Sequence, residues 1–120
     1  MNRKIKFRGK SLNTGLWSYG DLRQDNIRRK AYVEYEVDPE TIWQFSGMKD
    51  ANGKEIYEGD IIESRGFRHI VEYDAKQARF SAKNINGPRD DGSSITQQWI
   101  DECEKVVIGN IYDNPELIKR

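Results

Sequence analysis

Two glycine-centred turns six residues apart constrain this chain more than any other feature. Asp50-Ala51-Asn52-Gly53 has the chemistry of a tight turn whose last residue needs positive φ, a region glycine enters without a Cβ clash. Glu58-Gly59-Asp60 turns again and launches Ile61-Ile62 as a strand. Ile56 and Tyr57 are caught between the turns and must be placed against a core. Phe45–Ile62 is architecture, not chemistry: two turns with apolar residues flanking them tightly.

The rest of the chain is cut in the same way. Lys4 to Arg8 alternates, with Ile5 and Phe7 on one face and basic residues on the other, the pattern of a half-buried strand. Asn13-Thr14-Gly15 is a turn signal before the strand-favouring Leu16-Trp17-Ser18-Tyr19-Gly20, and together they read as a hairpin. Residues 23–30 read as a basic loop or frayed hairpin tip. Ala31 to Val37 reads as one strand, with Val33, Tyr35 and Val37 opposite Tyr32, Glu34 and Glu36. Asp38-Pro39-Glu40 predicts a capped helical turn, with Asp38 as N-cap and Pro39 where its missing N–H costs nothing. Ile42 to Phe45 returns to extended structure.

Beyond Asp60, strands are expected over Ile61–Ser64, Arg68–Tyr73 and Ala78–Ala82, separated by Gly66 and by a turn from Asp74 to Gln77. Asn84 to Ser94, with Gly87, Pro88 and Gly92, is a long loop. Ile95, Trp99, Ile100 and Cys103 fall at helical spacing and predict a short helix capped by Ser93 or Ser94. Val106-Val107-Ile108 predicts a buried strand ended by Gly109. Asn114-Pro115-Glu116-Leu117 predicts a terminal turn with the cap chemistry of Asp38-Pro39-Glu40. The fold class expected is mainly β: an N-terminal hairpin region plus an SH3-like small β-barrel, with one or two short helical turns. It forms one domain over 1–120, with sub-regions 1–46 and 47–120.

Hydrophobic residues make up 36% and charged residues 33%, so the core is small and leans on the 11% that is aromatic. The net charge of zero is unevenly spread. Residues 1–30 hold nine Lys/Arg against two Asp, a net +7, and the remainder carries −7. Such a split suits a nucleic-acid contact, or two surfaces that meet within or between subunits. Cys103 is the single cysteine, which excludes an intramolecular disulfide and fits a reducing cytoplasm. The start of the chain lacks the apolar run of a signal peptide, and no stretch approaches a membrane span, so no membrane partner is expected.

Gly47-Met48-Lys49-Asp50-Ala51-Asn52-Gly53-Lys54-Glu55-Ile56-Tyr57-Glu58-Gly59-Asp60-Ile61 and Val107-Ile108-Gly109-Asn110-Ile111-Tyr112-Asp113-Asn114-Pro115-Glu116-Leu117 resemble the YopX family of phage and prophage proteins. Ile5-Lys6-Phe7-Arg8-Gly9-Lys10 with Gly15, Trp17, Tyr19 and Gly20 matches a further part of the pattern, as does Pro39-Glu40-Thr41-Ile42 before Gln44-Phe45. The family commonly has Thr-Gly-Leu where this chain has Ser46-Gly47-Met48, and a glycine where Trp43 stands. The resemblance spans nearly the whole chain. It implies a phage-derived, β-rich protein of no established biochemical function, acting on a host protein or sequestering a small signalling nucleotide.

Chemistry is sparse. Arg8-Gly9-Lys10-Ser11 lacks the earlier glycine and following helix of a phosphate loop. His69 and Cys103, each single, cannot build a zinc site of the usual ligand set, so neither metal nor cofactor is expected. As a nucleophile pair they lack an electropositive setting, and Cys103 reads as a small buried hydrophobe. Glu72, Asp74 and Lys76 with Asp60 loosely suggest a metal-dependent nuclease, but carboxylates and lysines are ordinary in turns. Lys4, Lys6, Arg8 and Lys10 make a basic row able to track phosphates, with Trp17 and Tyr19 as stacking platforms. Arg23, Arg28, Arg29 and Lys30 could grip a small anion. The reading carried forward is a non-catalytic binding or assembly protein, a homo-oligomer whose basic hairpin meets an acidic face. Nucleic-acid binding through these eight residues is the alternative.

Overall fold

The computed structural model describes residues 5–85 and 93–118. Lys4 and the glycine-rich loop through Gly87, Pro88 and Gly92 lie outside the described residues. The backbone divides into two compact units, Met1–Gly47 and Met48–Arg120.

In the first unit β1 (Phe7–Lys10) pairs antiparallel with β2 (Trp17–Gly20). The expected hairpin at Gly15 is present, with Gly15 at φ +73°. β3 (Leu22–Asp25) and β4 (Lys30–Val33) form a second hairpin where a loop or frayed tip was expected. The stretch that reads as one strand from Ala31 to Val37 is folded back on itself. Glu34 sits at φ +66°, and β5 (Tyr35–Val37) returns beside β4 with Val33 opposite Tyr35. The reversal keeps Ala31, Val33 and Val37 in the core and turns Tyr35 outward, 61% exposed. Phe7, Leu22 and Ile42 pack on that core, whereas Ile5, expected beside Phe7, is exposed. Gly9 presses on it too: a Cβ there would stand 2.9 Å from Val37 Cγ2. Asp38 caps the 3-10 turn Pro39–Thr41 by accepting from the Glu40 amide at 3.0 Å, as its sequence predicts. β6 (Trp43–Lys49) then pairs with β1, Arg8 lying opposite Trp43.

The second unit opens with the end of β6 and the Asp50 turn, Gly53 at φ +84°. β7 (Glu55–Tyr57) is the hydrogen-bonded neighbour of β6. β8 (Asp60–Ser64), β9 (Phe67–Asp74) and β10 (Arg79–Asn84) form an antiparallel meander. β11 (Ser93–Ser94) borders β10, and β12 (Val106–Asn110) returns beside β8. The sheet order is β11-β10-β9-β8-β12, and among the described residues no closed barrel forms. Ile56, Ile62, Val71, Ala82, Ile95 and Ile100 make the core. Burying each of its isoleucines contributes about 1.5–3 kcal/mol.

Three local expectations are corrected here. The short helix α1 (Gln97–Glu102) is capped by Thr96, whose Oγ1 accepts from the Trp99 amide, and not by either serine. Gly109 does not end its strand but lies within β12 at a bulge, and Val106 to Ile108 are only half-buried. Asn114 does not repeat the Asp38 cap, because its Oδ1 reaches back to accept from the Asn110 amide at 3.2 Å.

Candidate functional site

The basic row on β1 is not a free comb of charges. Strand alternation puts Lys6, Arg8 and Lys10 on the face opposite Phe7 and Gly9. Cross-strand pairing brings Trp43 directly opposite Arg8 and Trp17 opposite Lys10. The Arg8 guanidinium therefore lies 4.6 Å from the Trp17 ring centre and 5.0 Å from that of Trp43, and the residue is buried at 5% exposure. Lys10 Nζ stands 4.7 Å over Trp17, and Lys6 Nζ 5.4 Å over Phe45. These are cation–π contacts, in which the negative face of each ring attracts the charge. The Trp17 ring, expected to stack on bases, already carries the Arg8 and Lys10 cations.

The second basic group is also spread out. Arg23 lies on β3 over the Tyr32 ring at 4.3 Å. Arg28 and Arg29 occupy the β3–β4 turn, where Arg28 Nε is 4.0 Å from Asp25. Lys30 Nζ is 3.8 Å from Glu36. Each of these three contacts takes a residue of the row to a partner within the unit.

A cleft of about 820 Å³ opens in the first unit. Its walls include Leu12, Leu16, Trp17, Tyr19, Glu34 and Tyr35. Leu12 is 60% and Leu16 70% exposed, far more than isolated aliphatics need to be. Their loop is held by its own hydrogen bonds and by one to β5. Ser11 N donates to Leu16 O at 2.9 Å, Gly15 N to Ser11 O at 2.8 Å, and Leu12 N to Glu36 O at 3.0 Å. Thr14 Oγ1 accepts from the Leu16 amide. The reversal at Glu34 supplies Tyr35 from the other side. Sequence reasoning missed this cleft because its walls come from two separate turns. The available signal was two leucines flanking a polar turn with no alternation to bury them.

The second unit holds a buried polar cluster that the sequence also concealed. Lys105, 4% exposed, places Nζ 3.4 Å from His69 Nδ1 and 5.1 Å from the Trp99 ring centre. His69 meets Trp99 edge-on at 5.3 Å. Burial pulls the Lys105 ammonium below its ordinary value of 10.5, opposed by the nearby Cys103 and Glu63. Cys103 sits half-buried at the C-terminal cap of α1, and its carbonyl accepts from the Ser64 hydroxyl.

Of the carboxylates weighed as a nuclease centre, Asp60 and Asp74 serve turns, while Glu72 lies within β9. Asp60 Oδ2 accepts from the Tyr57 amide at 2.8 Å, and Asp74 Oδ1 from the amides of Lys76 and Gln77 at 3.0 and 3.4 Å. Among the described residues no group of His, Cys, Asp and Glu is placed to hold a metal ion. Nor is any helix among them long and apolar enough to cross a membrane.

The family model described as YopX protein matches residues 6–119. Protein EF1440 from Enterococcus faecalis, a crystal structure, aligns with a TM-score of 0.68 at 24% identity. That alignment covers 98% of this chain and 100% of EF1440, which establishes a shared fold. Among curated proteins none matches.

Proposed function

The chain belongs to the YopX family, and on that premise we propose that it is a non-catalytic binding and assembly protein. In this reading it derives from a phage or prophage, works in the host cytoplasm, and docks a polypeptide in the cleft of its first unit. The observation that carries the reading is the cleft itself. The exposed leucines are held there by a hydrogen-bonded loop and the tyrosines by β2 and β5, so little ordering entropy is lost when a partner covers them. The acids at Asp60 and Asp74, engaged as turn acceptors, support a structural role for the residues nearest to a catalytic pattern. For the second unit, the meander β8-β9-β10 with its last strand returning beside the first supports an SH3-like barrel in an open form.

Nucleic-acid binding and anion sequestration have less support. Both need a convergent basic surface, and Arg8 is buried between tryptophans while Arg23 and Arg28 lie against Tyr32 and Asp25. The test is a photo-reactive p-benzoylphenylalanine in place of Leu16, irradiated in bacterial cells, with the same residue in place of the exposed Lys54 as control. The reading expects discrete protein adducts from position 16 and none in common with position 54. Adducts to nucleic acid, or none at all, would overturn it.

A further inference from the structure

We propose that the occupant of the cleft is the β3–β4 hairpin tip of a second copy of this chain; the proposal rests on the docking reading above and names the partner. Ile27 stands at that tip with 96% of its surface exposed, the most exposed large apolar residue described. The tip is ordered: Asp25 Oδ1 accepts from the amides of Ile27 and Arg28 at 3.1 Å each, and β3 pairs with β4 up to Asp25 opposite Lys30. An apolar knob on a rigid support and an apolar cleft with a rigid wall are complementary in kind.

Their charges are complementary as well. Arg28 and Arg29 follow Ile27, while Glu34 lines the cleft; Lys30 and Glu36 already meet within one chain at 3.8 Å. Among the described residues neither the Arg29 guanidinium nor the Glu34 carboxylate has an ion-pair partner. Seating Ile27 against Leu12, Leu16 and Tyr35 would bring the tip that carries Arg29 to the cleft that Glu34 lines.

The contact must form between chains. Glu34 follows the last residue of β4, and Ile27 lies before its first. At about 3.3 Å per residue, Lys30 and Glu34 stand roughly 13 Å apart, with Ile27 further still. A hairpin paired along its length cannot bend its own tip back to the other end of β4. Tip and cleft are different surfaces, so copies join either as a reciprocal pair, each filling the other, or head to tail in a ring.

The experiment is sedimentation equilibrium of the full chain over about a hundredfold range of concentration, for the wild type, Ile27→Asp, Arg29→Glu, Glu34→Arg and the Arg29→Glu/Glu34→Arg double variant. Circular dichroism checks that each is folded. The wild type should rise above the single-chain mass of 14.0 kDa as concentration increases. Ile27→Asp should weaken association about thirtyfold and each single charge change about tenfold. The double variant, which restores opposite charges across the contact, should recover to within about threefold of wild type. A wild type that stays at 14.0 kDa throughout, or a double variant no better than its singles, overturns the proposal. The photo-adduct at position 16 separates the two levels. Adducts only to another protein sink the second-copy occupant and leave the docking reading standing, and no adduct sinks both.

Discussion

The Asp50 carboxylate accepts a hydrogen bond from the amide of Val107 at 2.9 Å through Oδ2. Its Oδ1 accepts from the amides of Asn52 and Lys54 at 2.9 and 2.8 Å. One buried side chain therefore closes the turn before β7 and pins the start of β12, helped by Ala51 N donating to Lys105 O at 2.8 Å. Three amides depend on it. Asp50→Ala leaves them without their acceptor and should destabilise the second unit by about 2–4 kcal/mol in urea unfolding. Asp50→Asn, which keeps one carbonyl acceptor, should cost less.

Gly109 is required by Asn114. A Cβ at position 109 would stand 2.5 Å from Asn114 Oδ1 and 3.0 Å from Leu117 Cδ1, while that Oδ1 accepts from the Asn110 amide. Gly109→Ala should cost about 1–3 kcal/mol by overpacking. In an Asn114→Ala background the cost should shrink, a coupling that a double-mutant cycle on thermal unfolding reads directly.

Arg8 holds the Trp17–Trp43 pair, whose ring centres are 5.4 Å apart. Arg8→Met keeps length and apolar volume but removes the charge, and should cost about 1–2 kcal/mol. Arg8→Lys should fall between, because an ammonium lacks the flat guanidinium that lies along a ring. Tryptophan fluorescence should change in both variants, and an unaltered spectrum in Arg8→Met would count against the stacked arrangement.

Lys105 gives stability a pH dependence of defined sign. Its folded-state value lies below 10.5 because of burial, so between that lowered value and 10.5 the unfolded chain binds more protons than the folded one. Stability from this group therefore rises with pH across that window. Below it the full cost of charging a buried amine is present. Lys105→Met should be favoured over wild type most at the acid end, and its advantage should fade as pH climbs toward 10.5. A difference that stays flat with pH would contradict the assignment.

What was legible in the sequence is what closes within a few residues. The Asp50–Gly53 turn, the Asp38 cap and the Asp74 turn each use partners two to four positions away; Gly53 and Pro39 mark the first two, and Asp74 itself marks the third. The reversal at Glu34 was hidden because alternation reads straight through it and no glycine announces the positive φ. Arg8 looked solvent-facing because it alternates in a row with Lys6 and Lys10, whereas its environment is set by cross-strand register with β2 and β6. The Lys105–His69 contact joins residues thirty-six positions apart. The cleft needs the Ser11–Leu16 loop and the folded β5 at once, and no local pattern encodes their meeting.

The claim that the first unit's cleft is the surface this protein uses is tested most directly by covalent footprinting with a photogenerated carbene. Labelling is compared between the protein in freshly opened cells and the purified chain at high dilution. Leu12, Leu16 and Tyr35 should be labelled several-fold less in the cell sample. Phe67, Tyr73 and Tyr112, which are comparably exposed on the second unit at 48, 45 and 52%, should be labelled equally in both. Equal labelling of the cleft residues in the two samples, or protection confined to the second unit, would contradict the account.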